Sequence, residues 1–232
     1  MIPQLHLVTD ARVLSSPRFL AAAGEAVEAG GARVAVHLRG PDADARELWE
    51  RGRELLPVVR DHGARLLVND RVDLAVILDA DGVQLPEHGL PVGIARELMK
   101  NGTLVGRSVH GPRSFAPGGR PDFLLVGTLF PTPSHPDRAG AGPGRVEEAV
   151  RTTPHVPAVG IGGITLERVP AVIGAGAHGV AVLRAVWEHP KPGDAVEAFL
   201  AALEGGRAGR GVGDRAHETN EEKANEENAK EP

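Results

Sequence analysis

Short apolar runs rich in Val, Leu and Ile recur along the chain, and most are followed by a stretch in which Ala, Glu and Arg fall at helical spacing. The runs predict strands near 4–9, 33–38, 65–69, 82–85, 103–107, 122–127, 157–161 and 178–183. The stretches between and after them predict helices near 17–29, 43–62, 71–78, 91–100, 145–151, 165–174 and 192–204. The connection 109–120 contains Pro112, Pro117 and Gly118-Gly119 and is read without a proper helix. Strand and helix in alternation predict an α/β chain with a parallel sheet. The strands are nearly unbroken apolar runs, which suits a sheet buried on both faces. An open doubly wound sheet satisfies the same pattern. Eight regular units in a chain slightly shorter than the roughly 250 residues usual for the class favour a closed (β/α)8 TIM barrel over residues 1–204.

The pattern stops at about Gly205. After Val212 no large apolar residue remains, so 205–232 is expected to be a disordered tail that cannot bury enough surface to offset its ordering entropy. Residues 216–232 hold six acids and two bases, a balance of −4, which leaves about −1 of the chain's net −5 for the rest. With 26 Lys and Arg against 31 Asp and Glu there is no basic excess to displace phosphate counterions, and five Phe, two Trp and no Tyr leave few stacking platforms; nucleic acid is not an expected partner. The absence of Cys excludes disulfides, thiolate catalysis and cysteine metal sites, and suits a cytoplasmic setting. Neither a secretory leader nor a membrane-spanning run is visible.

In a barrel of this class the active site lies at the C-terminal ends of the strands. The polar residues there are Thr9-Asp10, Arg39, Asn69-Asp70, Gln84, Ser108 with His110, Thr128 to His135, Gly162-Gly163 and the turn after Val182-Leu183. Taken singly, each is equally well a helix cap or a loop residue, because Asp, Asn, Ser and Thr are preferred caps. Gly162-Gly163, followed by an expected helix, lets an anion approach the backbone, and barrels of this class often bind phosphate after strands seven and eight. The phosphate-binding set is therefore Gly162, Gly163, Val182 and Leu183. The loop after strand six is long, polar and rich in Pro and Gly, in the manner of a binding loop. Thr132, Ser134, His135 and Arg138 supply donors on it, and an imidazole titrates near neutral pH.

The runs LHLVTD (5–10), HLR (37–39), LLVNDRVDLA (66–75), ADGVQLP (80–86), GRSVH (106–110), DFLLVGTLFPTPSHP (122–136), AVGIGGIT (158–165) and GAHGVAVL (176–183) together resemble the thiamine phosphate synthase/TenI superfamily. The resemblance covers roughly residues 4–204 and independently implies the barrel. It implies one of two activities on a thiazole phosphate. The synthase branch joins it to a pyrimidine diphosphate and displaces pyrophosphate with Mg²⁺. The tautomerase branch aromatises a thiazole phosphate carboxylate by proton transfer.

The synthase pattern is incomplete. Arg39-Gly40-Pro41 lacks a lysine, Gly89 replaces an Mg²⁺-binding Asp, Gln84 replaces a His, and His135 replaces a lysine that faces pyrophosphate. Asn69 and Asp70 remain from the metal and diphosphate side; Ser108, Thr132, Ser134 and Gly162-Gly163 remain from the thiazole phosphate side. Losing cationic and metal stabilisation of a diphosphate leaving group favours the tautomerase reading. VQLP and GRSVH also look like that branch. The tautomerase pattern has its own departure, Thr128 where a proton-carrying His is expected. His135, and after it His110, is then the catalytic candidate. Arg39, Asn69, Gln84, Ser108, Thr128, Thr132 and Ser134 are expected to bind substrate, with Arg39 suited to a carboxylate. The resemblance thus implies a small-molecule thiazole phosphate partner, and on the favoured reading no metal or cofactor, with Mg²⁺ required only by the synthase reading. A non-catalytic binder of thiazole phosphate is the third reading. The oligomeric state is left open, a homo-oligomer included.

Overall fold

A computed structural model describes residues 1–111, 119–132 and 139–208. Its centre is a closed, all-parallel barrel: β1 (Leu5–Val8), β2 (Val34–Leu38), β3 (Arg65–Asn69), β4 (Gly82–Leu85), β5 (Leu104–Val109), β6 (Phe123–Val126), β7 (Ala158–Ile161) and β8 (Gly179–Val182), each paired with the next and β8 with β1. The (β/α)8 expectation holds, and strand limits fall within about two residues of those expected, as unbroken apolar runs require of strands buried on both sides. β5 runs on to Val109, which brings Ser108 into the strand at the mouth.

Helices wrap the barrel: α1 (Ala11–Leu14), α2 (Phe19–Gly30), α3 (Ala45–Asp61), α4 (Val72–Ile77), α5 (Val92–Leu98), α6 (Gly144–Thr152), α7 (Val169–Gly174), α8 (Arg184–Trp187) and α9 (192–208). α3 shows why they form. The Asp44 side chain accepts from Glu47 N–H at 2.8 Å and caps its start. Leu48, Gly52, Leu55 and Val59 then fall at spacings of four, three and four residues and are its buried face. Each buried Leu or Val on such a stripe contributes roughly 1.5–3 kcal/mol.

Three expectations change. α1 and α8 were not anticipated, being single turns too short for a periodic signal. No regular helix follows the Gly162-Gly163 turn directly; a 3-10 turn at Leu166–Arg168 intervenes before α7. The last helix passes the expected boundary at 204 and continues through 208, because Leu203 is fully buried, Gly206 packs on Ile173 and Arg207 donates to His178 O. Residues 209–232, most of the expected tail, lie outside the described residues, as does most of the 109–120 connection. Among the described residues no helix is long and apolar enough to cross a membrane.

Two apolar bodies hold the fold. One lies between the strands and the helices, and the other fills the barrel itself with Val8, Ala35, Leu67, Phe123, Leu125, Val159 and Ala181. His6 and His37 share that interior; the His6 ring lies 5.0 Å from Phe123 and 5.1 Å from His37.

Candidate functional site

A cavity of about 670 Å³ opens at the C-terminal ends of the strands, a size suited to small-molecule ligands. Arg39, Asn69, Gln84, Ser108, His110, Thr128, Thr132, Gly162, Gly163, Val182 and Leu183, all expected from the sequence, line it together. Ser134 and His135 lie outside the described residues. Asp10, another of the polar residues at strand ends, is a helix cap: its carboxylate accepts from Val13 N–H at 3.0 Å.

On one side the wall is backbone. Gly162 (φ 101°) and Gly163 (φ 62°) turn the chain after β7 through left-handed conformations that side chains oppose. A Cβ on Gly162 would lie 2.5 Å from Thr128 Cγ2, and one on Gly163 would lie 2.6 Å from Pro131 O. Arg168 clamps this turn, donating to Gly163 O while its guanidinium stacks 4.6 Å from the Phe130 ring. Beside it α8 begins directly after β8. Arg184, which the sequence reading missed, lines the cavity there and donates to Thr132 Oγ1 at 3.1 Å. Trp187 Nε1 donates to Val8 O at 2.8 Å and ties this corner to β1.

Across the barrel the wall is side chain. Thr9, fully buried, accepts from Arg39 N–H at 2.9 Å, and its hydroxyl lies 3.0 Å from His37 O and 2.8 Å from Arg39 O, which fixes where β2 releases Arg39. After β3, Asp70 adopts φ 63°, a conformation tolerated by Asp and found where side chains must be re-aimed. Asn69, Asp70 and Arg71 consequently all line the cavity. Asn69 pairs in register with Gln84 on β4. Gln84 Nε2 donates to Ser108 Oγ at 3.0 Å, and its Oε1 is buried without a hydrogen-bond partner among the described residues.

The clearest chemical unit is a carboxylate–imidazole pair. His110 Nδ1 lies 2.6 Å from Glu87 Oε2. A carboxylate accepts, so Nδ1 carries the hydrogen and Nε2 of the neutral ring keeps its lone pair, the state required of a base. Glu87 is on the loop after β4, and that loop is pinned by Arg107, whose guanidinium donates to Leu90 O at 2.6 Å and Glu87 O at 2.8 Å. Burial lowers the pKa of Arg107, partly offset by the Glu87 charge. The sequence reading missed Glu87, Arg107 and Arg71. The only signal for Glu87 was an acid just after an apolar strand end.

For Mg²⁺, Asp70 is the carboxylate at the mouth, and Gly89 stands where the synthase pattern has a second. Among the described residues no three His, Cys, Asp or Glu side chains cluster to hold a metal. Mg²⁺ is commonly held by one or two carboxylates plus substrate phosphates. Among the described residues that line the cavity, Asp70 would therefore suffice to hold the ion only at the lower limit, and only if a bound ligand supplied phosphate oxygens.

The family model described as thiamine monophosphate synthase matches residues 5–186. Among curated proteins, a putative thiamine-phosphate synthase of Geobacter sulfurreducens is 41% identical over 206 residues, covering 86% of this chain and 93% of that one. A thiamine-phosphate synthase of Natronomonas pharaonis is also 41% identical, covering 87% and 95%. Among solved structures, the thiamine phosphate pyrophosphorylase of Pyrococcus furiosus superposes with a TM-score of 0.73 at 28% identity, covering 88% of this chain and 96% of that one.

Proposed function

The chain belongs to the thiamine monophosphate synthase family, and from that premise we propose that it is a thiamine-biosynthetic enzyme that joins a thiazole phosphate to a pyrimidine diphosphate and releases pyrophosphate. This reverses the order of the two readings favoured by sequence alone. Relatives about 40% identical over nearly the whole chain carry the synthase name, and that outweighs the individual departures from the synthase pattern.

The observation that carries the reading is a cavity with two unlike polar ends. The glycine turn after β7 faces β3, which lies four strands away around the barrel and bears Asn69, Asp70 and Arg71 at its end. The thiazole phosphate anchors its phosphate on the backbone of Gly162-Gly163 and the turn at Leu183, with Ser108 and Thr132 beside it. Arg39 and Arg71 take the diphosphate. A bond forms from the thiazole nitrogen to the pyrimidine's exocyclic carbon as that carbon's bond to the diphosphate oxygen breaks, and the electron pair leaves with pyrophosphate. On this reading the Arg39 guanidinium and Nη1 of Arg71, whose Nε and Nη2 donate to Asp73, stabilise the charge that develops on the leaving group. Mg²⁺, when bound at Asp70, adds charge stabilisation to the same group.

A second reading stays because one observation favours it. The Glu87–His110 pair holds an imidazole with a bare Nε2 at the mouth, which is what aromatisation of a thiazole phosphate carboxylate by proton transfer needs. One activity panel decides: pyrimidine diphosphate, thiazole phosphate and Mg²⁺ in one arm, the thiazole carboxylate phosphate tautomer without metal in the other. Thiamine phosphate formed in the first arm and abolished by EDTA is the expected result. Turnover confined to the second arm, indifferent to EDTA, replaces the synthase reading with the tautomerase one. Binding without turnover in either arm leaves the non-catalytic reading.

A further inference from the structure

Helices that wrap a barrel bury one stripe and turn polar side chains outward. α3 follows this rule: it carries the ion pairs Arg46–Glu50 and Arg51–Glu54 on its outer side, each at 3.0 Å. α4 and α5 depart from it. Seven large hydrophobic side chains are exposed among the described residues. Five of them, Val76, Ile77, Leu90, Ile94 and Leu98, lie on these two helices or on the turn leading into α5. Their exposures run from 44% to 66%. Ile94 and Leu98 are four residues apart and share one face of α5, and α4 packs against α5. The five therefore gather on one side of the barrel, unlike the single exposed hydrophobics that are ordinary on any surface.

At ordinary residue areas the five leave roughly 500 Å² exposed, the size of the largest patch on a typical monomer, which is often functional. A stable pair of proteins buries about 800 Å² per partner, as an apolar core inside a polar rim. The five residues supply more than half of that area as core. A rim is also present. The ion pairs Arg71–Asp73, Arg96–Asp122 and Lys100–Asp79 border the apolar residues. They add as much positive as negative charge, so a second copy of the same surface meets no local repulsion, although the whole chain stands at −5. A lipid surface instead attracts an apolar face flanked by an excess of Lys and Arg, and these pairs leave no such excess.

We propose that the α4/α5 face is the contact surface between two copies of this chain, related by a twofold axis that lays the face on itself. Ile77, Ile94 and Leu98 form its apolar centre and the ion pairs form its rim. None of the five exposed hydrophobics lines the cavity, so the surface is separate from the mouth and independent of the reaction performed there. It does adjoin one wall of the mouth. α4 directly follows Asn69, Asp70 and Arg71, and α5 follows the loop that bears Glu87. A second copy seated on these helices braces both segments.

Analytical ultracentrifugation of the full chain tests the proposal. Wild type at micromolar concentration should sediment as a dimer that dissociates on dilution. Ile77→Asp with Leu98→Asp puts two carboxylates into the apolar centre of each copy. It should weaken the dimer by at least about 30-fold, the loss expected when buried anchors of an interface are removed, with a cooperative thermal transition showing the barrel folded. Leu166→Asp makes the same change at an exposed hydrophobic on the β7 side of the barrel and should leave the dimer intact. In wild type, backbone amides of 69–98 should exchange more slowly in the dimer than after dilution to monomer. A wild-type chain that stays monomeric, free or bound to a vesicle or another protein, overturns the proposal. So does a dimer that survives the double variant, or one that Leu166→Asp breaks equally. Should the double variant fail to fold, Ile77→Ser with Leu98→Ser and the exchange pattern decide, and protection confined to another part of the chain overturns the assignment.

Discussion

Between β7 and β8 the mouth is built from backbone, and between β2 and β5 it is built from side chains. The first wall owes its shape to two left-handed glycines held by Arg168, and a Cβ at either would lie within 2.6 Å of its neighbours. The second wall owes its shape to hydrogen bonds that reach well below the mouth, from Asn69 through two buried histidines and from Glu87 through Arg107. Backbone N–H groups can hold any phosphate and do not titrate. Side chains select a ligand and move protons, and they depend on what stands behind them. On the proposed reading the first wall anchors the ligand and the second carries the chemistry, and single changes test that division.

The largest effect is expected at the anchoring wall. Gly162→Asp adds a Cβ against Thr128, forces an ordinary residue to φ 101° and places a carboxylate where phosphate would sit. Backbone strain of about 1–3 kcal/mol adds to charge repulsion there. Calorimetric titration with thiazole phosphate should detect no binding, while the melting temperature shows the barrel still folded. Retained affinity would move the anchor elsewhere. Next is the chemistry wall. On the second reading, His110→Gln removes the base and should lower kcat by about 10²–10⁴-fold with KM little changed. On the synthase reading the same variant should leave kcat within a few-fold, so the kcat ratio also ranks the two reactions.

How much of this could be read from the chain follows the same division. Strands and their order were legible because each is a continuous apolar run, and Arg39, Asn69, Gln84, Ser108 and Gly162-Gly163 were legible because the class places its ligands at strand ends. The two glycines after β7 need no partner to be recognised. The chemistry wall was less legible because its links are not local. Glu87 meets His110 across 23 residues, and only because Arg107 folds the intervening loop back. His6 and His37 sit inside apolar runs, where a histidine in the sequence gives no sign of which ring it faces 31 residues away. Arg184 was hidden by a helix of one turn. Asp10, equally polar and equally well placed, only caps α1.

The walls should also separate in acid. Burial holds His37 neutral down to a pKa of about 4 and holds His6 well below its usual value. A histidine whose folded pKa is depressed contributes stability above the unfolded pKa, near 6.5, and loses it as pH falls towards the folded one. At about 1.4 kcal/mol per pH unit, His37 alone accounts for about 3 kcal/mol between pH 6.5 and 4. Urea unfolding across this range should show that decline in wild type and a shallower one in His37→Gln. Equal slopes would mean that the buried pair does not govern acid stability.

The smallest effect sharpens the comparison most, because it changes no group that touches a ligand in either proposed role. Glu87→Gln keeps the size of the side chain and removes the charge facing His110 Nδ1. The amide can still accept from Nδ1–H through its oxygen, so the tautomer survives, but the imidazolium formed when Nε2 takes a proton loses its counter-charge. A partly exposed ion pair of this kind contributes about 1 kcal/mol or less, so a proton-transfer rate that depends on it should fall by no more than about five-fold. Phosphate affinity at the glycine turn should not move. If Glu87→Gln leaves the rate untouched, Glu87 does no more than hold the loop; if it weakens phosphate binding, the two walls are coupled and the division between anchor and chemistry fails.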